Sequence, residues 1–197
     1  MSKLETNTID TVSGTNTLQV GDGNVATINL GKSGDTINVP SGATLNVAGT
    51  VGTGLTNTPA FRAYTDTIQT TSDGTATKAA LNLETYDTNS CYDTSNYRFT
   101  PNVAGKYYFN WVAQDNYTSS AATSVQIYIR KNGSDIAESV DNTRSTNNHE
   151  THTVSTTVDM NGSSDYVEFF LYYSGGSGVI WRNNSDRQFA EGYRLIT

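Results

Sequence analysis

The sequence predicts an all-β protein: an N-terminal repetitive β-stalk followed by a jelly-roll sandwich, assembled as a homotrimer. Three observations lead there. Thr, Ser and Asn fill roughly a third of the 197 positions, with 17 Gly among them, a vocabulary of pleated strands and tight turns rather than of helices. Residues 1–56 hold no aromatic side chain, whereas the remainder holds all 12 Tyr, 6 Phe and 2 Trp. Within the aromatic-free part a short unit of alternating polar and apolar residues recurs.

The first segment, residues 1–16, has Leu4, Ile9 and Val12 as its aliphatic residues and is expected to be an anchor. Residues 17–57 carry the repeat: Thr17-Leu18-Gln19-Val20, Thr27-Ile28-Asn29-Leu30, Thr36-Ile37-Asn38-Val39 and Thr44-Leu45-Asn46-Val47. The starts lie 10, 9 and 8 residues apart, with Gly-containing turns between them. Each unit places two aliphatic side chains on one face of a short strand and two polar ones on the other. Two aliphatics per strand cannot offset the entropy of ordering the segment in one chain. The repeat therefore implies several copies wrapped about a common apolar axis, formed by Leu18, Val20, Ile28, Leu30, Ile37, Val39, Leu45 and Val47.

Residues 58–197 read as a globular head. Short runs rich in Tyr, Phe, Val, Ile and Thr predict strands at 60–64, 77–83, 97–99, 105–114, 123–130, 152–159, 166–173 and 189–196, with a further one at 179–181. Turn signals separate them, notably Ser72-Asp73-Gly74, Asn132-Gly133 and Asn161-Gly162. Eight or nine short strands so spaced suggest a two-sheet sandwich of jelly-roll type. In residues 106–114, Tyr107, Phe109, Trp111 and Ala113 alternate with Tyr108, Asn110, Val112 and Gln114, and the first set is the expected core side. Phe61, Phe99, Phe170 and Tyr193 complete the residues assigned to the core or trimer contact of the head.

Charge narrows the function. Lys and Arg number 12 against 19 Asp and Glu, for a formal charge of −7, so a nucleic-acid partner is not expected, because phosphate neutralisation needs clustered cations. The longest apolar run, 166–173, is far shorter than the ~20 residues of a membrane helix and contains Glu168. No basic-then-apolar leader opens the chain, which leads us to expect a protein made in a cytosol. The lone Cys91 cannot form an intrachain disulfide, and its neighbours do not activate a thiol.

Catalytic and metal motifs are weak. His149 and His152 are three apart among polar residues, whereas a zinc helix sets them four apart. Gly21-Asp22-Gly23 and Gly175-Gly176-Ser177-Gly178 lack the contexts of nucleotide loops. Asp87, Asp93, Asp115 and Glu168 offer carboxylates for glycoside chemistry, but nothing in the sequence sets them at the required separation. The 87–93 loop offers oxygen ligands without calcium-hand spacing. No catalytic residue, metal or cofactor is expected.

Residues 92–109, YDTSNYRFTPNVAGKYYF, resemble the globular head of complement and tumour-necrosis-factor-like proteins through Asp93, Phe99, Pro101, Gly105, Tyr107 and Phe109. The stretch Pro59-Ala60-Phe61 with Ala63-Tyr64 is similar to that family's opening strand, Ile129 to Gly133 to its hairpin, and Phe189, Gly192, Tyr193 and Leu195 to its closing strand. The resemblance implies a ten-stranded jelly roll that trimerises through aromatic and aliphatic side chains. The stalk repeats resemble those of virion proteins of marine and cyanobacterial phages. Together these imply a non-enzymatic trimeric capsid decoration or cement protein, or a short head fibre, on the outer capsid surface, with the major capsid protein as partner. The alternative is a receptor-binding tail fibre or spike tip, partnered by tail proteins and recognising host glycans through residues such as Tyr92, Tyr117 and Trp181.

Overall fold

The computed structural model describes residues 36–47, 56–120, 122–142, 149–175 and 177–196, without the side chains of 116–120 and 177–180. The chain divides into two units, Met1–Gly49 and Thr50–Thr197, where the aromatic boundary placed the division near residue 57. In the first unit, residues 36–47 turn at Ser41-Gly42, with Ala43 N donating to Pro40 O at 3.0 Å. The strands expected at 36–39 and 44–47 do not form in the single chain. Ile37, Val39, Leu45 and Val47 are exposed, Leu45 to 67%. A strand is fixed by a partner's hydrogen bonds, and among the described residues these have no strand to pair with. Leu4, Ile9, Val12, Leu18, Val20, Ile28 and Leu30 lie outside the described residues.

The second unit is all-β. Its strands are β1 (Ala60–Tyr64), β2 (Gln69–Thr70), β3 (Thr77–Lys78), β4 (Leu83–Asp87), β5 (Tyr92–Asp93), β6 (Arg98–Phe99), β7 (Gly105–Ser120), β8 (Ser124–Lys131), β9 (Ser134–Asp141), β10 (Thr151–Met160), β11 (Val167–Ser174), β12 (Ser177–Trp181) and β13 (Gln188–Arg194). All pairings are antiparallel. One sheet runs β2-β12-β7-β13-β1-β4 with β10 on the far side of β7, and the other runs β5-β6-β11-β8-β9 with β3 beside β11. The two pack face to face as a jelly-roll-like sandwich, the arrangement that period-2 sequences with one apolar side favour.

The core lies between the sheets. Tyr107, Phe109, Trp111 and Ala113 are fully buried from the larger sheet, and Ile127, Ile129, Phe169 and Leu171 meet them from the smaller. Phe61 is the centre of the aromatic cluster, stacked on Phe99 at 4.5 Å and on Tyr92 at 5.1 Å. Each such side chain contributes about 1.5–3 kcal/mol by leaving water. Two buried tyrosines keep their hydroxyls satisfied: Tyr107 donates to Val103 O at 2.7 Å and Tyr92 to Leu81 O at 3.1 Å.

The expected strand at 77–83 splits. Residues 77–78 pair with β11 in the smaller sheet, whereas β4 begins at Leu83 and pairs with β1 in the larger. Between them the chain crosses the sandwich edge. Ala79 N donates to Phe169 O at 2.8 Å, and the Gln69 amide donates to Lys78 O and accepts from Ala80 N.

Candidate functional site

The register of the larger sheet determines which side chains share its outward face. Tyr64, Phe189, Val112 and Thr153 form one cross-strand row; Tyr86, Arg62, Glu191, Asn110 and Ser155 form the next; Tyr193, Tyr108 and Thr157 a third. The result is an aromatic belt across β4, β1, β13 and β7. The Tyr108 and Tyr193 rings lie 5.4 Å apart, and the Arg62 guanidinium sits 3.7 Å above the Phe189 ring. Such neighbours on one face each contribute a few tenths to 1 kcal/mol.

The belt carries little net charge. Arg62 Nη1 donates to Glu191 Oε2 at 2.6 Å, and Asn110 Nδ2 donates to Glu191 Oε1 at 3.3 Å. At the rim Lys106 pairs with Asp159 at 2.8 Å. Burial, followed by the nearby Glu191 carboxylate, raises the Tyr86 pKa above its ordinary value, so the Tyr86 phenol stays neutral. The arrangement supplies neutral, aromatic contact area with hydroxyl edges, which suits association with another protein surface.

The smaller sheet's outward face is different in kind. Glu168 is buried to 5% exposure and accepts from Lys78 Nζ at 2.7 Å and Arg98 Nη2 at 2.6 Å. Arg98 lies over Tyr166 and Arg130 over Phe170, at 4.0 and 4.1 Å. Tyr128 and Gln126 are joined by a hydrogen bond, and Arg130 pairs with Asp135. Tyr166 and Phe170 are thus already covered by guanidinium groups, leaving less free apolar area.

The head residues assigned from sequence fall into two groups. Phe61, Phe99, Tyr107, Phe109 and Trp111 are fully buried. Phe170 and Tyr193 are half-buried on outward faces instead. In the run 166–173 aromatics occupy both parities, and Phe169 and Tyr173, of the other parity from Phe170, are the ones that enter the core. Tyr193 follows Gly192, whose bare Cα faces the Phe109 ring, so the tyrosine points away from the core into the belt.

The glycan contacts imagined for Tyr92 and Trp181 are overturned: Trp181 is fully buried and Tyr92 nearly so. Trp181 Nε1 donates to Thr71 Oγ1 at 3.1 Å. Tyr117 falls outside the described side chains. The four carboxylates weighed for glycoside chemistry have structural contacts: Asp87 accepts from Tyr92 N, Asp93 from the backbone N–H groups of Ser95 and Asn96, Asp115 lies 2.9 Å from His152 Nε2, and Glu168 pairs with Lys78 and Arg98. His149 is exposed while His152 is buried. The Asp115–His152 contact links two strands distant in sequence, so no local spacing announced it. Among the described residues no group of three or more His, Cys, Asp or Glu is placed to hold a metal, and no helix is long and apolar enough to cross a membrane.

No protein-family model and no curated protein matches the sequence. Solved structures do. The chain is similar to Eiger TNF from S. frugiperda, with a TM-score of 0.55 at 7% identity over 69% of this chain and 91% of that one. Murine APRIL at pH 8.0 gives 0.53 at 6% identity over 69% and 98%. The globular domain of zebrafish complement 1qA protein gives 0.48 at 16% identity over 70% and 96%. The head therefore has the tumour-necrosis-factor-like fold. At these identities the likeness is one of fold, and function has to be argued from surfaces.

Proposed function

We propose that the protein is a non-enzymatic structural component of a phage particle, a homotrimer on the outer capsid surface acting as decoration, cement or short head fibre. The observation that carries the trimeric part is the neutral aromatic belt of Tyr64, Tyr86, Tyr108, Phe189 and Tyr193 on the larger sheet. A monomer gains nothing by exposing it, and a threefold contact buries it on each copy. The exposed Ile37, Val39, Leu45 and Val47 support the same reading, since in a bundle of three stalks they acquire the partners a single chain lacks.

The capsid part rests on the repeat's resemblance to phage virion proteins and on symmetry. A closed trimer matches a local threefold position of an icosahedral shell, where one contact joins three capsid subunits. Quantifying copies per purified particle tests it: hundreds are expected for a decoration, and a few tens or fewer would indicate a receptor-binding tail fibre instead. Deleting residues 1–16 is expected to abolish incorporation while leaving a soluble trimer. Incorporation of the deleted form at the normal level would remove the anchor role from Leu4, Ile9 and Val12.

A further inference from the structure

A cleft of about 370 Å³ opens in the head between the connection from β1 to β2 and the chain crossing at residues 80–82, with Tyr97 at its side. Its volume falls at the small end of the range for ligand sites, about 300–1,000 Å³. We propose that this cleft binds a neutral sugar ring, a hexopyranose unit, independently of how the protein assembles.

The lining sets the ligand class. None of the eight lining residues is an Asp, Glu, Lys, Arg or His: they are three threonines, Gln69, Asn82, Tyr97, Ile68 and Ala80. Without a cation a phosphate or carboxylate ligand would be desolvated unpaired, a costly exchange. Hydroxyl and amide groups both donate and accept, as sugar hydroxyls do. Ile68, 54% exposed, and the Tyr97 ring add apolar area against which the C–H face of a pyranose can pack.

The walls are held in place before any ligand arrives. Thr65 Oγ1 accepts from Thr67 N at 3.1 Å, and the Gln69 amide is locked onto Lys78 O and Ala80 N at 2.7 and 2.9 Å. Asp66 accepts from Thr67 Oγ1 and Asn82 Nδ2, so the Asn82 amide has a defined orientation.

Tyr97 has φ 53°, a left-handed conformation unfavourable for a bulky side chain. The turn before it is braced by Asp93, which accepts from Ser95 N and from Asn96 N and Nδ2, while Lys78 Nζ donates to Asn96 O. Backbone strain held by so many bonds concentrates at positions that present a functional group. Here the group presented is an aromatic ring at a hydroxyl-lined cleft.

The test uses the full chain and methyl pyranosides of glucose, galactose, mannose and N-acetylglucosamine, with glucose 6-phosphate and N-acetylneuraminic acid as charged comparisons. Saturation-transfer and amide-shift NMR are expected to show at least one neutral pyranoside binding with Kd about 1 mM or tighter. The amides of Thr67, Ile68, Thr70 and Tyr97 should shift. Tyr97→Asn keeps a residue tolerant of positive φ and removes the ring, so it should fold normally and bind at least tenfold more weakly. Thr70→Val, at an exposed position, should weaken binding without altering the fold. The proposal is overturned if no neutral pyranoside shifts these amides, if the charged sugars bind as well, or if a folded Tyr97→Asn protein binds as tightly as the parent.

Discussion

Glu168 shows how one buried carboxylate is kept ionised. Burial alone pushes its pKa up, but the hydrogen bonds and charges of Lys78 and Arg98 outweigh that and leave it below the ordinary glutamate value. A group whose folded pKa is depressed adds stability above its unfolded pKa and loses it as pH falls through the folded one. Asp93, held low by the Asn96 side chain and then by backbone N–H groups, and Asp165, held low by Asn132 and then Lys131, act in the same direction. Denaturation midpoints should therefore be flat through neutral pH and fall below about pH 4. Glu168→Gln should cost about 1–3 kcal/mol at pH 7 and flatten part of that acid limb; an unchanged limb would show that Glu168 does not contribute to it. At the alkaline end, burial pushes Tyr107 up to about 12 and Tyr92 higher still. These phenols stabilise the fold below the unfolded value near 10 and withdraw that stability above it, so they should ionise only on unfolding in a spectrophotometric titration. The phase of an aromatic run is where residue-level reading failed. Phe109 and Trp111 alternate with the more polar Asn110 and the smaller Val112, which assigns a side to them and to Tyr107 in phase with them, whereas Phe169-Phe170 and Tyr172-Tyr173 look alike on both faces of their strand.

Elements were legible where alternation was strong and partners were apolar. β1, β8, β10, β11 and β13 lie within one or two residues of their sequence expectation. β7 runs to Ser120, six residues past the expected end, because its polar second half is held by pairing with β12 rather than by an apolar pattern. β9, SDIAESVD, escaped notice because it is an edge strand whose Asp135, Glu138 and Asp141 read as loop; charge on an edge also discourages pairing with other chains. The closing strand illustrates a motif with a physical cause. A Cβ added at Gly192 would stand 2.6 Å from Phe109 Cδ1 and 2.9 Å from Tyr108 O, so glycine is required for the core ring to lie flat over β13. Gly192→Ala should destabilise by about 1–3 kcal/mol through overpacking, read as a lower denaturant midpoint at unchanged slope. Combining it with Phe109→Leu should cost less than the sum of the two single changes. Strict additivity would mean that the ring is not what excludes a side chain at 192.

At the scale of the whole molecule, two sets of apolar side chains are open among the described residues, and they are of different strength. The N-terminal repeat offers scattered aliphatics, two per unit, each exposed where described. The head offers a contiguous aromatic belt in which the Arg62–Glu191 pair is internally neutralised. Contiguous aromatic area dominates association, because a few centrally placed Tyr and Phe side chains carry most of the binding energy. On the trimer proposed above, the parent chain should sediment at three times 21.3 kDa. Substituting Tyr108→Glu and Tyr193→Glu together sets two like charges side by side in the belt, on half-buried side chains that reach outward, so the core is untouched while the interface is opposed by charge. That variant should keep the far-ultraviolet spectrum of the parent and sediment as a monomer. Replacing Ile37, Val39, Leu45 and Val47 with serine should leave a trimer that dissociates more readily on dilution. If the doubly charged head variant stays trimeric while the serine variant falls apart, the stalk and not the belt governs assembly, and the larger sheet's outward face must serve some other partner.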